Sequence, residues 1–410
     1  MPCVLVVAMA DSIHTARWVR LALGQGMRIV LLPVTGGALV PELADARPIR
    51  DTRDLDGLSD RQPGLFVVDA LDREAVAAFD RGIGYRPWRP SWLPPSVPIL
   101  RAGQLAAAIE RLAPDVVHSM EIQLAGYACL AVRQALGPAM PPWMLSNWGS
   151  DVYLYRKIGS HRSRLEALVG LVDVYVAECA RDIAIFRATG FRGRVVPPIP
   201  ASGGMDLDGF PEPAELGLPS GRGEIVVKGY HGWAGRGLHV LAAIHLAADA
   251  LRRYAIRITL ASPEVRAMAA VMAGRDRLDI VCESRIDSHR LALLRLARAR
   301  IVVGSGISDG ITTTLLEAMT TGVFPILATT SCADEWIEDG RTGLLASPHD
   351  TAALAAALTR AAGDDALVDQ AAIANRATVA QRWNARTNAP VIAANYRRAM
   401  AVRDRVGSPR

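Results

Sequence analysis

Two stretches of the chain hold residue types that could bind a phosphorylated ligand. The first is 304–325, GSGISDGITTTLLEAMTTGVFP. An apolar run ends at Gly304, a glycine-rich loop containing Asp309 and Gly310 follows, and Thr312, Thr313 and Thr314 open a helix expected over 313–321, closed by Gly322. Thr is a good N-cap, and the free N–H groups and positive dipole end of a helix suit a phosphate or diphosphate. Asp309 and Glu317 are eight residues apart. On one straight helix they would point about 80° apart, so Asp309 is placed in the loop and Glu317 in the second helical turn, facing one ligand from two sides. Carboxylates placed this way hold sugar hydroxyls through charge-assisted hydrogen bonds. An ordinary capped helix with a solvated Glu317 is the other reading of the same residues.

The second stretch is 225–244, IVVKGYHGWAGRGLHVLAAI. Lys228 ends a strand and Arg236-Gly237 opens a long helix, so two cations flank a short loop. Of the 46 basic residues only Lys157 and Lys228 are lysine. In a chain that writes positive charge as Arg, a strand-end Lys stands out, because ammonium and guanidinium are not equivalent. His231 and Trp233 lie between the two cations; packing is the simpler expectation for Trp233.

Elements that position these residues follow from hydrophobic periodicity. Strands are expected at 3–9, 27–33, 65–69, 115–118, 143–147, 173–178 and 194–197, with helices at 14–24, 101–113, 122–136, 160–171 and 180–189. In the second half strands are expected at 224–228, 255–260, 278–282, 300–304 and 324–328, with helices at 236–253, 262–273, 287–298, 313–321, 332–338, 350–363, 366–383 and 386–402. Near-continuous apolar strands alternating with amphipathic helices predict an α/β fold with parallel sheets covered on both faces. Two such series predict two doubly wound, Rossmann-like domains, with ligands outside the carboxyl ends of the strands. The boundaries read as 1–200 for the first domain, 201–223 for a Pro- and Gly-rich linker, 224–385 for the second domain and 386–410 for a terminal helix. Residues 83–99, with five Pro and two Trp, read as an ordered excursion of the first domain.

These motifs resemble the signature of retaining GT-B glycosyltransferases of glycosyltransferase family 4. Leu315-Leu316-Glu317-Ala318-Met319 match that signature, Gly310, Gly322 and Pro325 are in register, and Asp309 stands where the family usually has Glu. DGRTGLLASPHD (339–350) resembles the strand and turn that follow it. The resemblance implies that Lys228 and Arg236 hold the donor diphosphate, in an order reversed from the usual one. It assigns donor contacts to Asp309, Gly310, Thr312, Thr313 and Glu317, and makes Lys228, Arg236 and Asp309 catalytic candidates as well.

In the first half, APDVVHSMEIQLAGY (113–127) resembles the family's strand and helix start, but Met120 stands where a second His is common. His118 is either a packed histidine or a substrate contact. Glu121, at an expected helix N-terminus whose dipole would lower its pKa, is a candidate for catalysis or hydroxyl binding. NWGSDVY (147–153) makes Asp151 a candidate acceptor ligand, or an Asx turn opening a helix. His14, in DSIHTARW (11–18), is a further acceptor-side candidate. The last helix, with Tyr396, looks like the family's final helix, which crosses back onto the first domain.

Composition excludes several classes. Half of the 410 residues are hydrophobic and 21% are charged, which is globular composition. No apolar run approaches the roughly 20 residues of a membrane span. The opening MPCVLVVAMAD reads as a first strand, not a signal peptide. The five cysteines show no metal-ligand spacing and read as reduced, mostly buried thiols. Net charge is +5 with no basic block visible along the sequence, so nucleic acid is not an expected partner.

The resulting expectation is a glycosyltransferase that moves a sugar from a nucleotide diphosphate sugar to a hydroxyl acceptor with retention of configuration. It serves polysaccharide, glycolipid or glycoside biosynthesis. It needs no metal or other cofactor, as the family resemblance implies. It is expected to be cytoplasmic, and peripheral on the inner membrane face if the acceptor is lipid-linked. Rival readings are another GT-B enzyme, such as an epimerase or phosphorylase-like enzyme, and a catalytically silent binding subunit. A nicotinamide enzyme is disfavoured because no G-x-G-x-x-G follows the first strand.

Overall fold

Fourteen short strands form two sheets in this computed structural model, which describes all residues except 59–62, 69–72, 209, 212–214, 285, 287 and 407–410. Asp69 and Asp287, at the ends of an expected strand and helix, therefore lie outside the described residues, as does part of the expected linker. The chain divides into two units: Met1–Asp206 with Ala385–Arg410, and Leu207–Asn384.

Unit 1 is built on β1 (Cys3–Ala8), β2 (Arg28–Pro33), β3 (Arg47–Ile49), β4 (Gly64–Val68), β5 (Val116–Met120), β6 (Trp143–Ser146), β7 (Val174–Val176) and β8 (Arg194–Val195). Their order is β3-β4-β2-β1-β5-β6-β7-β8, and every pairing is parallel. Strand β1 is buried along its whole length, as expected for a central parallel strand with helices on both faces. One core layer includes Trp143, Tyr175 and Phe186. The opposite layer contains Trp18, Met144 and Tyr396, so the helix Ala385–Val406 is a covering element of unit 1.

Unit 2 carries β9 (Glu224–Lys228), β10 (Ala255–Thr259), β11 (Asp279–Cys282), β12 (Ala299–Val303), β13 (Phe324–Ala328) and β14 (Leu344–Ala346). The order is β11-β10-β9-β12-β13-β14, again all parallel.

Sequence periodicity misses the helix Arg73–Ile83 and the three-residue strand β3. The expected single helix over 236–253 is two, Gly237–Leu246 and Ala248–Leu251. The stretch 122–136 opens with a π-helical turn, Ile122–Gly126, before the α-helix Tyr127–Leu136. Four of the five cysteines are buried, and Cys282 is half-buried. No helix among the described residues is long and apolar enough to cross a membrane.

Candidate donor site and the core of unit 1

In unit 2 the carboxyl ends of β9 and β12, neighbours in the sheet, bring the two sequence motifs together. The loop after β9 and the loop after β12 are laced by backbone: Arg236 N–H donates to Ser305 O at 2.9 Å and Ile307 N–H to Ala234 O at 2.9 Å, with a bridge between Gly235 and Gly306. Only glycine fits this lacing. A Cβ on Gly235 would lie 2.4 Å from Tyr230 O, and one on Gly237 would lie 2.7 Å from Gly229 O.

Lys228, Tyr230, Gly304, Ser305, Gly306, Ser308, Asp309, Thr312, Leu327, Ala328 and Ser331 surround a narrow slot of ≈ 40 Å³. The stem of Lys228 runs past Gly304, where a Cβ would meet its Cβ at 3.5 Å. Thr312 caps the helix Thr313–Thr321: its Oγ1 accepts from Leu315 N–H at 3.0 Å. Asp309 lies in the loop and accepts from Gly310 N–H at 2.9 Å. Ser308 is a site residue that sequence reasoning misses. It is buried, and its hydroxyl has no hydrogen-bond partner among the described residues. A buried polar group without a partner is costly, and a ligand oxygen in this slot would satisfy it. Its only sequence signal is one serine in a glycine-rich loop, with nothing to mark it as enclosed.

Two donor candidates are held by the protein itself. The Arg236 guanidinium donates to Gly232 O at 3.0 Å and to Gly235 O at 2.9 Å, bracing its own loop. Glu317 is paired with His289 Nε2 at 2.8 Å, so the free, solvated Glu317 of the alternative reading is replaced by an oriented carboxylate. Trp233, expected to pack, is 48% exposed.

In unit 1 the structure corrects the acceptor-side expectations. His118 is fully buried. Its Nδ1 bonds Tyr396 Oη at 2.8 Å and its Nε2 bonds Ser146 Oγ at 2.7 Å. Trp18 Nε1–H donates to the same Tyr396 Oη at 2.9 Å. Burial pulls the imidazole pKa down to about 3, so it is neutral. His118 fastens the terminal helix to β5 and β6; it is not a substrate contact.

Glu121 is also enclosed, 5% exposed, and its carboxylate accepts from Leu124 N–H and Ala125 N–H. The helix end does favour its charge, but burial outweighs that and pushes the pKa up to about 7. The lowering expected from the dipole alone is thus reversed. Its φ of 80° is rare for a residue with a Cβ, and it sits at the mouth of the π-turn, a feature that recurs at functional sites. Asp151 accepts from Ile122 N–H at 3.0 Å and Trp148 N–H at 2.8 Å. Burial and the nearby Glu121 charge raise its pKa. Trp148 lies three residues before Asp151, not two after it as the donor of an Asx turn would, so Asp151 holds the preceding loop and with Glu121 pins the π-turn from both sides. His14 lies beside Trp148, ring centroids 5.5 Å apart in an edge-on contact.

Residues 239–364 match the family described as Glycosyl transferases group 1, and residues 67–169 match Glycosyl transferase 4-like. With its two parallel-sheet units, the chain is a glycosyltransferase of the GT-B type. No curated protein matches it by sequence.

Among solved structures, a sucrose-phosphate synthase from Thermosynechococcus elongatus is 15% identical, covers 98% of this chain and 100% of its own, and has a TM-score of 0.69. A trehalose 6-phosphate synthase from Burkholderia multivorans is 15% identical, with coverage of 100% and 99% and a TM-score of 0.69. Anabaena HepE, crystallised with UDP and glucose, is 13% identical, with coverage of 98% and 100% and a TM-score of 0.66.

Proposed function

We propose that the chain transfers a sugar from a nucleotide diphosphate sugar to an acceptor hydroxyl, with retention of configuration and without a metal ion, in polysaccharide, glycolipid or glycoside biosynthesis. The observation that carries this reading is the slot in unit 2. A strand-end ammonium, an unpartnered buried hydroxyl and a capped helix N-terminus converge there, and a diphosphate would use all three.

In the reaction the bond between the sugar's C1 and the donor phosphate oxygen breaks, and the acceptor oxygen bonds to C1. The acceptor proton passes to the departing diphosphate. Negative charge grows on that leaving group, so Lys228, the Ser308 hydroxyl and the N–H groups at Thr313 and Thr314 stabilise the transition state more than the ground state. Asp309 and Gly310 lie at the sugar end, and Glu317, oriented by His289, takes the ribose hydroxyls. Arg236 serves the diphosphate by holding the loop; its head is turned to carbonyls of that loop. HepE crystallised with UDP and glucose makes a uridine donor the first to try.

The test is a thermal-shift screen of nucleotide sugars, followed by product analysis by NMR. A ligand at 100 times its dissociation constant should stabilise its unit by roughly 2.7 kcal/mol. Transfer with an unchanged anomeric configuration supports the reading, and an inverted product overturns the retaining assignment. Activity is expected to survive EDTA; loss that magnesium or manganese restores would refute metal independence.

A further inference from the structure

Two stretches of unit 1 contain no acidic residue. Residues 81–109 carry Arg81, Arg86, Arg89 and Arg101, and residues 152–165 carry Arg156, Lys157, Arg162 and Arg164. These eight cations exceed the whole chain's net charge of +5, so the remainder is net negative by three. Arg101 is paired with Asp80; none of the other seven is ion-paired among the described residues.

The fold joins the two stretches. Trp88 meets Tyr155 and His161 edge-on, with ring centroids 5.9 and 5.1 Å apart. Arg86 and Arg164 line one cavity of ≈ 540 Å³ with Tyr85 and Tyr127. Arg156, Lys157 and Arg162, with one carboxylate, Glu166, line a second, of ≈ 330 Å³, on the other flank of the same helix Gly159–Val169. A basic face thus exists that the sequence, read in order, does not display as a block.

Apolar side chains stand out beside these cations. Trp92 is 55% exposed, Ile158 40% and Ile83 38%. The loop bearing Trp92 is fixed by Arg89, which donates to Pro94 O and Val97 O, both at 2.8 Å. Exposed aliphatics gain nothing against a phosphodiester chain. Cations interleaved with Trp and Ile suit the boundary of a bilayer, where Trp settles at the headgroup level and anionic lipids attract Lys and Arg.

We propose that this face of unit 1 docks the protein on an anionic lipid surface. Arg86, Arg156, Lys157, Arg162 and Arg164 meet headgroup phosphates, Arg89 and Arg101 being held by the protein, while Trp92, Ile158 and Ile83 enter the interfacial layer. Charge and apolar insertion act together, as stable peripheral binding requires. The proposal does not depend on the donor-site reading.

The test is co-sedimentation of the full chain with vesicles of one part phosphatidylglycerol to two parts phosphatidylcholine, against phosphatidylcholine alone. Binding to the mixed vesicles only, weakened by salt, is expected. Arg156→Gln with Lys157→Gln should lower partitioning about 30-fold, from about fivefold per cation. Trp92→Ser should weaken binding without changing its salt dependence. Arg266→Gln with Arg277→Gln removes the same charge from unit 2 and should change nothing. Should the first pair fail to fold by circular dichroism, Arg162→Gln with Arg164→Gln replaces it. No binding to the mixed vesicles, equal loss in the control pair, or retention by polyphosphate or RNA in place of vesicles would overturn the proposal.

Discussion

Lys228 and Glu317 lie at different places on the proposed donor and should fail differently. Lys228→Met keeps the stem and removes the charge beside the leaving diphosphate, so kcat should fall about 10²–10³-fold, as for loss of one charge-stabilising group. Glu317→Gln loses a charged hydrogen bond present in ground and transition states alike, so KM should rise by the equivalent of about 1.5–3 kcal/mol with kcat little changed. Steady-state kinetics separates the two. A near-normal kcat in Lys228→Met would remove the diphosphate from that strand end.

The buried titratable groups of unit 1 make a second prediction, with opposite signs. His118 is depressed to about 3, so its contribution to stability is present above the unfolded value of about 6.5 and is lost as pH falls towards 3, at roughly 1.4 kcal/mol per unit. Glu121 is raised to about 7, so its contribution is present below its unfolded value and is lost as pH rises through 7. The difference in unfolding free energy between the native protein and Glu121→Gln should therefore shrink from pH 5 to pH 8. Urea titrations at several pH values measure it; a difference that grows with pH would show Glu121 to be ionised in the folded state.

At the scale of elements, the strand–loop–helix at 299–321 is legible in the residues themselves. The expected helix 313–321 matches Thr313–Thr321, because a run of threonines and a closing glycine punctuate it at both ends. The lacing of one loop to another is not legible in this way. Gly235 reads like any loop glycine, yet its hydrogen atom faces Tyr230 O at a distance no Cβ tolerates. Gly235→Ala should push the 230–236 loop off the 305–307 loop. Donor affinity should fall at least tenfold, while the unit's stability changes by the roughly 1–3 kcal/mol typical of overpacking. Calorimetric titration with a nucleoside diphosphate checks it, and unchanged affinity would mean the loop is not part of the site. The role of His118 is illegible for the same reason: its partner Tyr396 is 278 residues away, and periodicity reports only neighbours. The helix Arg73–Ile83 escapes because the Pro-rich stretch that follows masks its end.

For the whole molecule, every residue around the donor slot belongs to Leu207–Asn384. That segment expressed alone should bind a nucleoside diphosphate with an affinity near that of the full chain. A folded segment without affinity would mean that unit 1 supplies part of the donor site. The parallel α/β class is readable from alternating apolar strands and amphipathic helices. The basic face is not, since it forms only when an excursion at 83–99 packs onto a helix start far along the chain.

The hydrogen bonds that tie Tyr396 to Trp18 and His118 also set an order of events during synthesis. The sheet of unit 1 is translated by residue 206, but the helix that covers one of its faces begins at Ala385. At about 5–20 residues per second, the nascent chain waits roughly 10–35 s between the two. Through that interval the indole N–H of Trp18 and the imidazole of His118 have not met the phenol that joins them, and the apolar layer around them is open. Unit 2, a continuous stretch from Leu207 to Asn384, is translated in the meantime. Each molecule made therefore keeps one apolar layer of unit 1 uncovered until the helix from Ala385 arrives, and a ribosome that stalls within unit 2 releases a chain with that layer still open.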